Sequence, residues 1–304
     1  MFNLFKKKKI IVTHAGSFHA DDIFACATLS ILLKKQNQLF KIVRTRDPEI
    51  IKKGDFVFDI GAIYDPKTNR FDHHQTGGAG ARINGIPYAA FGLAWKHFGK
   101  QVCDSEEVAN RIDQFMVSPI DASDNGVDIY KPIFPNLAPF RINEAFSAFL
   151  PSALENIDKD IEFLKMVDWA KEILKREIKK NTDEIKIEEL IKTIYRNTPD
   201  KRLMIIEEPQ VSRYEIWNAL QEFSEPLFVA YKGADVWRVV AMRADRNSFG
   251  NRKDFPKNWA GLRDENLAKA TGVLDAIFCH NKLFLASAKS KEGAIKLAEL
   301  ALKS

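Results

Sequence analysis

The chain has 304 residues, of which 45% are hydrophobic and 29% are charged, and its formal net charge is +5. These values are typical of a globular protein with one or two cores, and they exclude a largely disordered or fibrous chain. The mild basic excess is compatible with a nucleic-acid or phosphate ligand but does not by itself indicate one.

Cysteine usage and the first residues give an expectation about location. Cys26, Cys103 and Cys279 are far apart and match neither a disulfide framework nor a zinc-finger spacing, which favours a reducing cytoplasm. Residues 1–5 are mostly apolar and precede lysines, the reverse order of a secretory signal. The apolar run over residues 10–12 is too short to span a membrane.

The N-terminal half is predicted to alternate strands and helices. A β-branched strand over residues 9–13 precedes a helix over 21–35, and further strands follow over 40–45 and 55–60. This alternation indicates a parallel sheet with crossover helices. The next predicted elements are a glycine loop, two helices, a polar turn and a charge-rich helical region: 77–80, 87–98, 104–117, 118–126 and 139–197.

The segment over residues 197–201 predicts a domain boundary, which gives domains over residues 1–198 and 199–304. After it, strand and helix patterns indicate a smaller α+β domain. The predicted elements there are strands over 203–206, 227–231, 236–242 and 276–279, and a final helix over 291–303.

Two histidine–aspartate clusters follow predicted strands and contain four of the six histidines. The first reads Thr-His-Ala-Gly-Ser-Phe-His-Ala-Asp-Asp over residues 13–22, and the second reads Arg-Phe-Asp-His-His-Gln over residues 70–75. Ligands of open α/β sheets bind outside the carboxyl ends of the strands, so we expect both clusters and Asp59 to converge. The structural alternative is that Asp21 and Asp22 cap a helix while the histidines are satisfied near the core.

The candidate metal ligands combine imidazoles and carboxylates: His14, His19, Asp21, Asp59, His73 and Asp121. This set is too large for one tetrahedral zinc ion and suits two cations about 3.5–4 Å apart. Such ligands without thiolate favour Mn²⁺, with Mg²⁺, Zn²⁺ or iron as alternatives. A cation pair activates water and neutralises charge on a phosphoryl group, so the pattern indicates phosphoester hydrolysis.

These motifs resemble those of the DHH phosphoesterase superfamily, which includes RecJ-type exonucleases and manganese pyrophosphatases. Within it, the two clusters are similar to the Myg family, as are Ser-Pro-Ile-Asp-Ala-Ser-Asp-Asn-Gly over 118–126 and Trp-Ala-Gly-Leu-Arg-Asp-Glu-Asn-Leu over 259–267. The resemblance covers nearly the whole chain. It implies an α/β fold with a parallel-sheet DHH-type N-terminal domain, a helical segment and a smaller α+β C-terminal domain.

By position, the resemblance implies five metal ligands: His14, Asp21, Asp59, His73 and Asp121. His19 stands where many superfamily members have an aspartate, and it is either a ligand or a residue that supports one. The implied catalytic group is Asp22, Asp72 and His74, in which Asp72 orients its neighbour and His74 contacts the phosphate under attack.

In the C-terminal domain, the expected substrate-binding residues are Arg263, His280 and Trp259. Basic side chains of this domain could bind phosphates of a nucleic-acid strand while Trp259 stacks on a base. They include Arg246 and Arg252. The alternative is that Trp259 belongs to the core and the arginines form a solvated surface.

The function favoured by the sequence is that of a two-metal-dependent phosphoesterase, an exonuclease that trims single-stranded RNA or DNA with a metal-activated water. One alternative is a phosphatase or phosphodiesterase for a small nucleotide or pyrophosphate. Another is a metal-stabilised interaction protein without turnover. We expect a cytoplasmic enzyme with two divalent cations, a nucleic-acid or nucleotide substrate and no membrane partner, and the sequence is compatible with a dimer.

Overall fold

The computed structural model describes residues 7–208, 211–245 and 250–304. Arg246 and the first lysine of the N-terminal run, Lys6, lie outside these ranges. The chain divides into two compact units, Met1–Thr182 and Asp183–Ser304. None of the described helices is long and apolar enough to cross a membrane.

The first unit is an α/β unit, as predicted. Its elements are β1 (Lys9–Thr13), α1 (Ala20–Lys35), β2 (Phe40–Arg44), α2 (Pro48–Lys53), β3 (Phe56–Phe58), β4 (Tyr64–Asp65), β5 (Arg70–Phe71), α3 (Ala90–Cys103), α4 (Glu106–Ile112), α5 (Ser118–Asp124), α6 (Ile142–Ser147) and α7 (Lys159–Asn197). The division between the units falls inside α7, whereas the sequence places the boundary at 198/199, where this helix ends. The roles given to the two domains stay predictions.

The first sheet has the strand order β2-β1-β3-β5-β4. Strands β2, β1, β3 and β5 are parallel to one another, and only β4 is antiparallel. Val12 of β1 lies opposite Val43 of β2 on one side and Val57 of β3 on the other. The chain leaves β1 for β2 on one side and then crosses to β3 on the other. The carboxyl end of β1 is therefore a topological switch point, where ligands of such sheets bind.

The helix after β1 is held rigidly because it is buried on nearly every side. Thirteen of the 16 residues of α1 are buried, including Ile23 and Leu29, whereas Ile31 is only half-buried. The buried hydroxyls of Thr28 and Ser30 donate to carbonyls one turn earlier, at 2.8 and 2.7 Å. Each large buried apolar side chain stabilises the fold by about 1.5–3 kcal/mol, so the N-terminus of α1 is a firm base for functional groups.

The predicted polar turn over residues 118–126 is wrong, because residues 118–124 form helix α5. A π-helical segment, Asp113–Val117, joins α4 to α5, so the chain remains helical through Ser118. Proline is tolerated in the first turn of a helix, and the apolar side chains of Ile120 and Ala122 are buried. Tertiary burial thus overrides the turn-forming composition.

The second unit has the predicted α+β character. Its elements after α7 are β6 (Leu203–Ile206), α8 (Arg213–Leu220), β7 (Phe228–Lys232), β8 (Trp237–Ala241), a 3₁₀ turn (Lys257–Trp259), α9 (Asp264–Thr271), β9 (Ala276–Cys279), β10 (Leu285–Ala288) and α10 (Lys291–Lys303). The sheet order is β6-β7-β8-β10-β9, with β6 parallel to β7 and the other pairs antiparallel. Phe228 and Val229 enter different core clusters because successive strand residues point to opposite faces.

Candidate metal centre

Three parallel strands bring histidines and aspartates to one edge of the first sheet. His14 follows β1, Asp59 follows β3, and the Asp72-His73-His74 group follows β5. The N-terminus of α1 and the end of α5 add further carboxylates. The resulting cavity of about 730 Å³ is lined by His14, His19, Arg46, Asp59, Ile60, Gly61, Ala62, Asp72, His73, His74, Asp124 and Asn125.

Asp59 occupies the middle of this cluster. Its Oδ2 lies 3.2 Å from Nε2 of His14, and its Oδ1 lies 3.3 Å from Nε2 of His73. Its backbone is left-handed, with φ 55°, a conformation that non-glycine residues adopt mainly where the surroundings enforce it. Burial acts to raise the pKa of Asp59, but the two histidines outweigh it and lower the pKa to about 2.

On one side of Asp59, His14 also meets a carboxylate at the start of α1. Its Nε2 lies 3.2 Å from Oδ2 of Asp22, whose Oδ1 accepts the backbone N–H of His19 at 3.0 Å. Asp22 therefore caps α1 and faces the cluster with its second oxygen. Burial acts to lower the pKa of His14, but Asp22 and Asp59 outweigh it and raise the pKa to about 10.

On the other side, His73 lies between Asp59 and Asp124, with its Nε2 3.2 Å from Oδ2 of Asp124. Burial acts to lower the pKa of His73, and the carboxylates of Asp124 and Asp59 raise it to about 10. Asp21 is fully buried beside them. Burial and the charges of Asp59 and Asp124 raise the pKa of Asp21 well above its ordinary value.

Several of these buried polar atoms have no hydrogen-bond partner among the described residues. They are Oδ1 and Oδ2 of Asp21, Oδ2 of Asp22, Oδ1 of Asp59 and Nε2 of His73. The close contacts of His73 with carboxylates thus lack hydrogen-bond geometry, although the distances are 3.2 and 3.3 Å. Buried carboxylates without partners are costly, and convergent oxygens and imidazole nitrogens are the ligands that divalent cations take.

The candidate ligand atoms form three overlapping groups, each with its atoms within 4.8 Å of one another: His14, His19 and Asp59; Asp59, His73 and His74; and His19, Asp21 and Asp124. Five of the six predicted metal ligands are in these groups. The residues therefore fit divalent cations. His19 is exposed and shares groups with Asp59 and with Asp21, so its position leaves it able to act as a ligand.

Asp72 holds the histidine that faces solvent. Its Oδ1 lies 2.7 Å from Nδ1 of His74 and accepts the backbone N–H groups of His73 and His74 at 2.7 and 3.1 Å. Its Oδ2 accepts the N–H of Ala62 at 2.5 Å. Asp72 is 1% exposed, whereas the side chain of His74 is 60% exposed. This contrast fits an orienting role for Asp72 and a substrate contact for His74.

The predicted position of Asp121 as a metal ligand needs correction. Its Oδ2 accepts Nη1 of Arg82 at 2.7 Å, and its Oδ1 accepts the N–H of Gly92 at 2.9 Å. Burial raises the pKa of Asp121 to about 7, although Arg82 acts to lower it. Both oxygens are engaged away from the three candidate groups, and Asp124, one helical turn later, stands among them instead.

Arg82 is a residue that the sequence did not single out. Its guanidinium makes two hydrogen bonds to Asp113, at 2.9 and 2.7 Å, in addition to the bond with Asp121. It thereby joins the loop after the second histidine cluster to the π-helical segment and to α5, which carries Asp124. No local pattern indicates such a role, because its two partners lie 31 and 39 residues further along the chain.

The predicted substrate-binding residues of the second unit have different environments. Trp259 is 3% exposed and packs against Phe255 in the core, so its face is not available to a base. Arg263 lies over the ring of Phe278 at 4.5 Å, and His280 is half-buried against Phe284. The guanidinium of Arg252 donates hydrogen bonds to the backbone carbonyls of Gln221, Phe223, Pro226 and Arg243. Arg252 therefore acts as a structural residue.

The chain matches known proteins along nearly its whole length. Residues 10–302 match the model of MYG1_exonuc, described as "Uncharacterised protein family (UPF0160)". A MYG1 protein of Schizosaccharomyces pombe is 29% identical over 96% of this chain and 97% of its own length. The MYG1 exonuclease of Homo sapiens is 29% identical over 96% of this chain and 85% of its own length.

Among solved structures, RecJ in complex with Mn²⁺ from Thermus thermophilus aligns with 97% of this chain at 12% identity and a TM-score of 0.28. The alignment covers 52% of that protein, so this chain spans about half of its length. The match over residues 10–302 confirms the family that the sequence motifs predicted. The protein belongs to the MYG1 family.

Proposed function

We propose that the protein is a metal-dependent hydrolase of phosphodiester bonds, an exonuclease that shortens single-stranded RNA or DNA. The observation that carries this proposal is the position of Asp59, whose two oxygens face different histidines at 3.2 and 3.3 Å. A carboxylate between two sets of ligands suits a site for two cations. Relatives named MYG1 exonuclease support the same reaction class.

His14, Asp22 and Asp59 would hold one cation, and Asp59, His73, Asp21 and Asp124 the other, with His19 at their rim. Asp22, which the sequence placed in the catalytic group, becomes a proposed ligand because its Oδ2 lies 3.2 Å from Nε2 of His14. When bound, the cations would supply an activated water and neutralise charge on the phosphoryl oxygens. Mn²⁺ is the favoured metal because imidazole and carboxylate ligands occur without thiolate. Cys26, Cys103 and Cys279 are free and buried, which fits a reducing, cytoplasmic location.

In this proposal His74 contacts the phosphate under attack. Its exposed ring projects from a cluster in which the side chains of Asp59 and His73 are buried. Asp72 fixes the ring through Nδ1, so that Nε2 is directed to the substrate. A group fixed before the substrate arrives stabilises developing charge without reorganisation. Arg263 and His280 stay proposed contacts for a longer strand.

The test uses the purified full chain after metal removal, with single-stranded RNA and DNA labelled at either end. We expect shortening from one end after addition of Mn²⁺, little or none in EDTA, and loss in Asp59→Asn. Activity on mononucleotides or pyrophosphate without shortening of strands would favour a small-substrate phosphatase. Tight metal binding without turnover of any phosphoester would favour the interaction protein and contradict the proposal.

A further inference from the structure

A second cavity adjoins the metal centre. It has a volume of about 540 Å³ and shares the lining residues Arg46, Ile60 and Gly61 with the cavity of the candidate ligands. It lies along α2 and the loop after β3, and we call it the α2 groove. Its volume is in the range of about 300–1,000 Å³ that small-molecule sites occupy. A ligand with its reacting group at the cluster could therefore extend into it.

The α2 groove carries positive charge without a counter-charge of its own. Arg46, Lys52 and Arg70 line it, and no carboxylate is among the described residues of its lining. The backbone fixes two of these cations. Nε of Arg46 donates to the carbonyl of Ala15 at 3.0 Å, and the guanidinium of Arg70 donates to the carbonyls of Thr68 and Lys52 at 3.0 and 3.2 Å.

The remaining lining is apolar, in contrast to the metal centre. Ile51, Ile60 and Ile63 contribute to it, and Ile63 is 52% exposed although it is a large aliphatic side chain. Gly61, with φ 98°, lies where the two cavities meet, and no side chain there restricts the approach of a ligand to the backbone. Cations beside apolar surface match a ligand that has both phosphate charge and a flat hydrophobic ring.

We propose that the α2 groove binds the nucleotide adjacent to the scissile phosphate, with its phosphate on Arg46 and Lys52 and its base against Ile60 and Ile63. This inference rests on the proposed function and adds a binding site for one nucleotide of its substrate. Pyrophosphate would use the cations but not the apolar surface. The groove therefore distinguishes a nucleotide-containing substrate from a purely inorganic one.

The first experiment measures binding without depending on turnover. A fluorescent trinucleotide with phosphorothioate linkages is titrated in Mn²⁺ into the wild type, Arg46→Gln, Lys52→Gln and the matched control Lys53→Gln. Lys53 is the exposed neighbour of Lys52 on α2 and does not line the groove. We expect affinity to fall about three- to tenfold in Arg46→Gln and Lys52→Gln, and less than about twofold in Lys53→Gln. The slope of log affinity against log salt should become shallower by about 0.7 for each lost contact.

The second experiment tests the apolar part of the groove. A trinucleotide with an abasic residue next to the scissile linkage should bind about threefold more weakly than the normal strand. In Ile63→Ser, the normal and abasic strands should bind equally. Equal binding of both strands by the wild type would overturn the nucleotide assignment. Equal effects of Lys52→Gln and Lys53→Gln would overturn the groove as a site.

Two experimental outcomes distinguish a wrong assignment of the α2 groove from a wrong proposed function. Hydrolysis of the strand by the wild type, with no selective effect of Arg46→Gln or Lys52→Gln on KM or binding, contradicts the α2 groove alone. Selective binding in the groove by a protein that hydrolyses no phosphoester supports the groove and contradicts the enzyme.

Discussion

Asp72 and His74 form a fixed pair at the rim of the candidate metal centre, with Oδ1 of Asp72 2.7 Å from Nδ1 of His74. The carboxylate is buried and accepts further backbone N–H groups, whereas the imidazole is largely exposed. Because the buried carboxylate of Asp72 is held in place, it fixes the orientation of the exposed His74 ring toward a substrate.

His74→Ala should lower kcat for phosphodiester hydrolysis by about 10²–10³-fold, because the substrate loses a preorganised contact to developing charge. Mn²⁺ affinity, measured by calorimetry, should change little. His73→Ala is the comparison, since its buried ring lies between Asp59 and Asp124 and its loss should weaken metal binding. A loss of metal affinity in His74→Ala as large as in His73→Ala would make His74 a ligand.

Asp124→Asn should affect metal binding, whereas Asp121→Asn should affect the stability of the fold. Asp124→Asn should weaken Mn²⁺ binding by at least about tenfold, because the site loses a candidate ligand. Asp121→Asn should lower the free energy of unfolding by about 2–3 kcal/mol, because the buried Arg82 loses a charged partner.

The matched control for both changes is Asp128→Asn, an exposed carboxylate beyond the end of α5. It should alter neither metal affinity nor stability. If Asp121→Asn abolishes metal binding while the fold remains as stable as the wild type, the assignment from sequence is right and the present one is wrong.

Gly92→Ala should destabilise the protein by several kcal/mol, because a Cβ at this position would lie 1.7 Å from Oδ2 of Asp121. Helix α3 could accept alanine elsewhere, so the cost comes from packing and not from helix propensity. Lys96→Ala, on the exposed side of the same helix, should cost less than about 1 kcal/mol through its contact with Tyr88. Urea denaturation measures both, and wild-type stability of Gly92→Ala would contradict the close packing.

Metal binding should release protons near pH 7. The pKa values of His14 and His73 are raised to about 10, so the metal-free protein holds both rings protonated, whereas a ligand imidazole must be neutral. Affinity for Mn²⁺ should therefore rise as the pH increases from 6 toward 9. Titration calorimetry in two buffers of different ionisation enthalpy measures the release, and identical heats in both would contradict it.

The same raised pKa values predict that the stability of the metal-free protein decreases as the pH rises. A histidine whose folded pKa is raised from 6.5 to about 10 stabilises the protein fully below pH 6.5. That contribution is lost as the pH rises through about 10. Thermal unfolding in EDTA should thus show decreasing stability over this window, while saturating Mn²⁺ removes the decrease. No change with pH in EDTA would contradict charged histidines in the metal-free cluster.

The amino-acid sequence by itself determined the elements that present the site. The β-branched run of β1, the apolar helix α1 and the short strand before Asp59 have local periodicities that predict their structures. Parallel strands share one carboxyl edge, so His14, Asp59 and His73 could be placed together from the chain order alone. The sequence motifs also identified the family.

Only the tertiary structure decided which carboxylate of residues 118–126 joins the cluster. A helix replaces the predicted turn because Ile120 and Ala122 are buried, and the long-range partners Arg82 and Gly92 then take Asp121. Trp259 was assigned to the core in the same way, by neighbours distant in sequence. Local patterns determine which elements form, but the direction of a buried polar side chain depends on the partners that satisfy it, and packing alone brings those partners within reach.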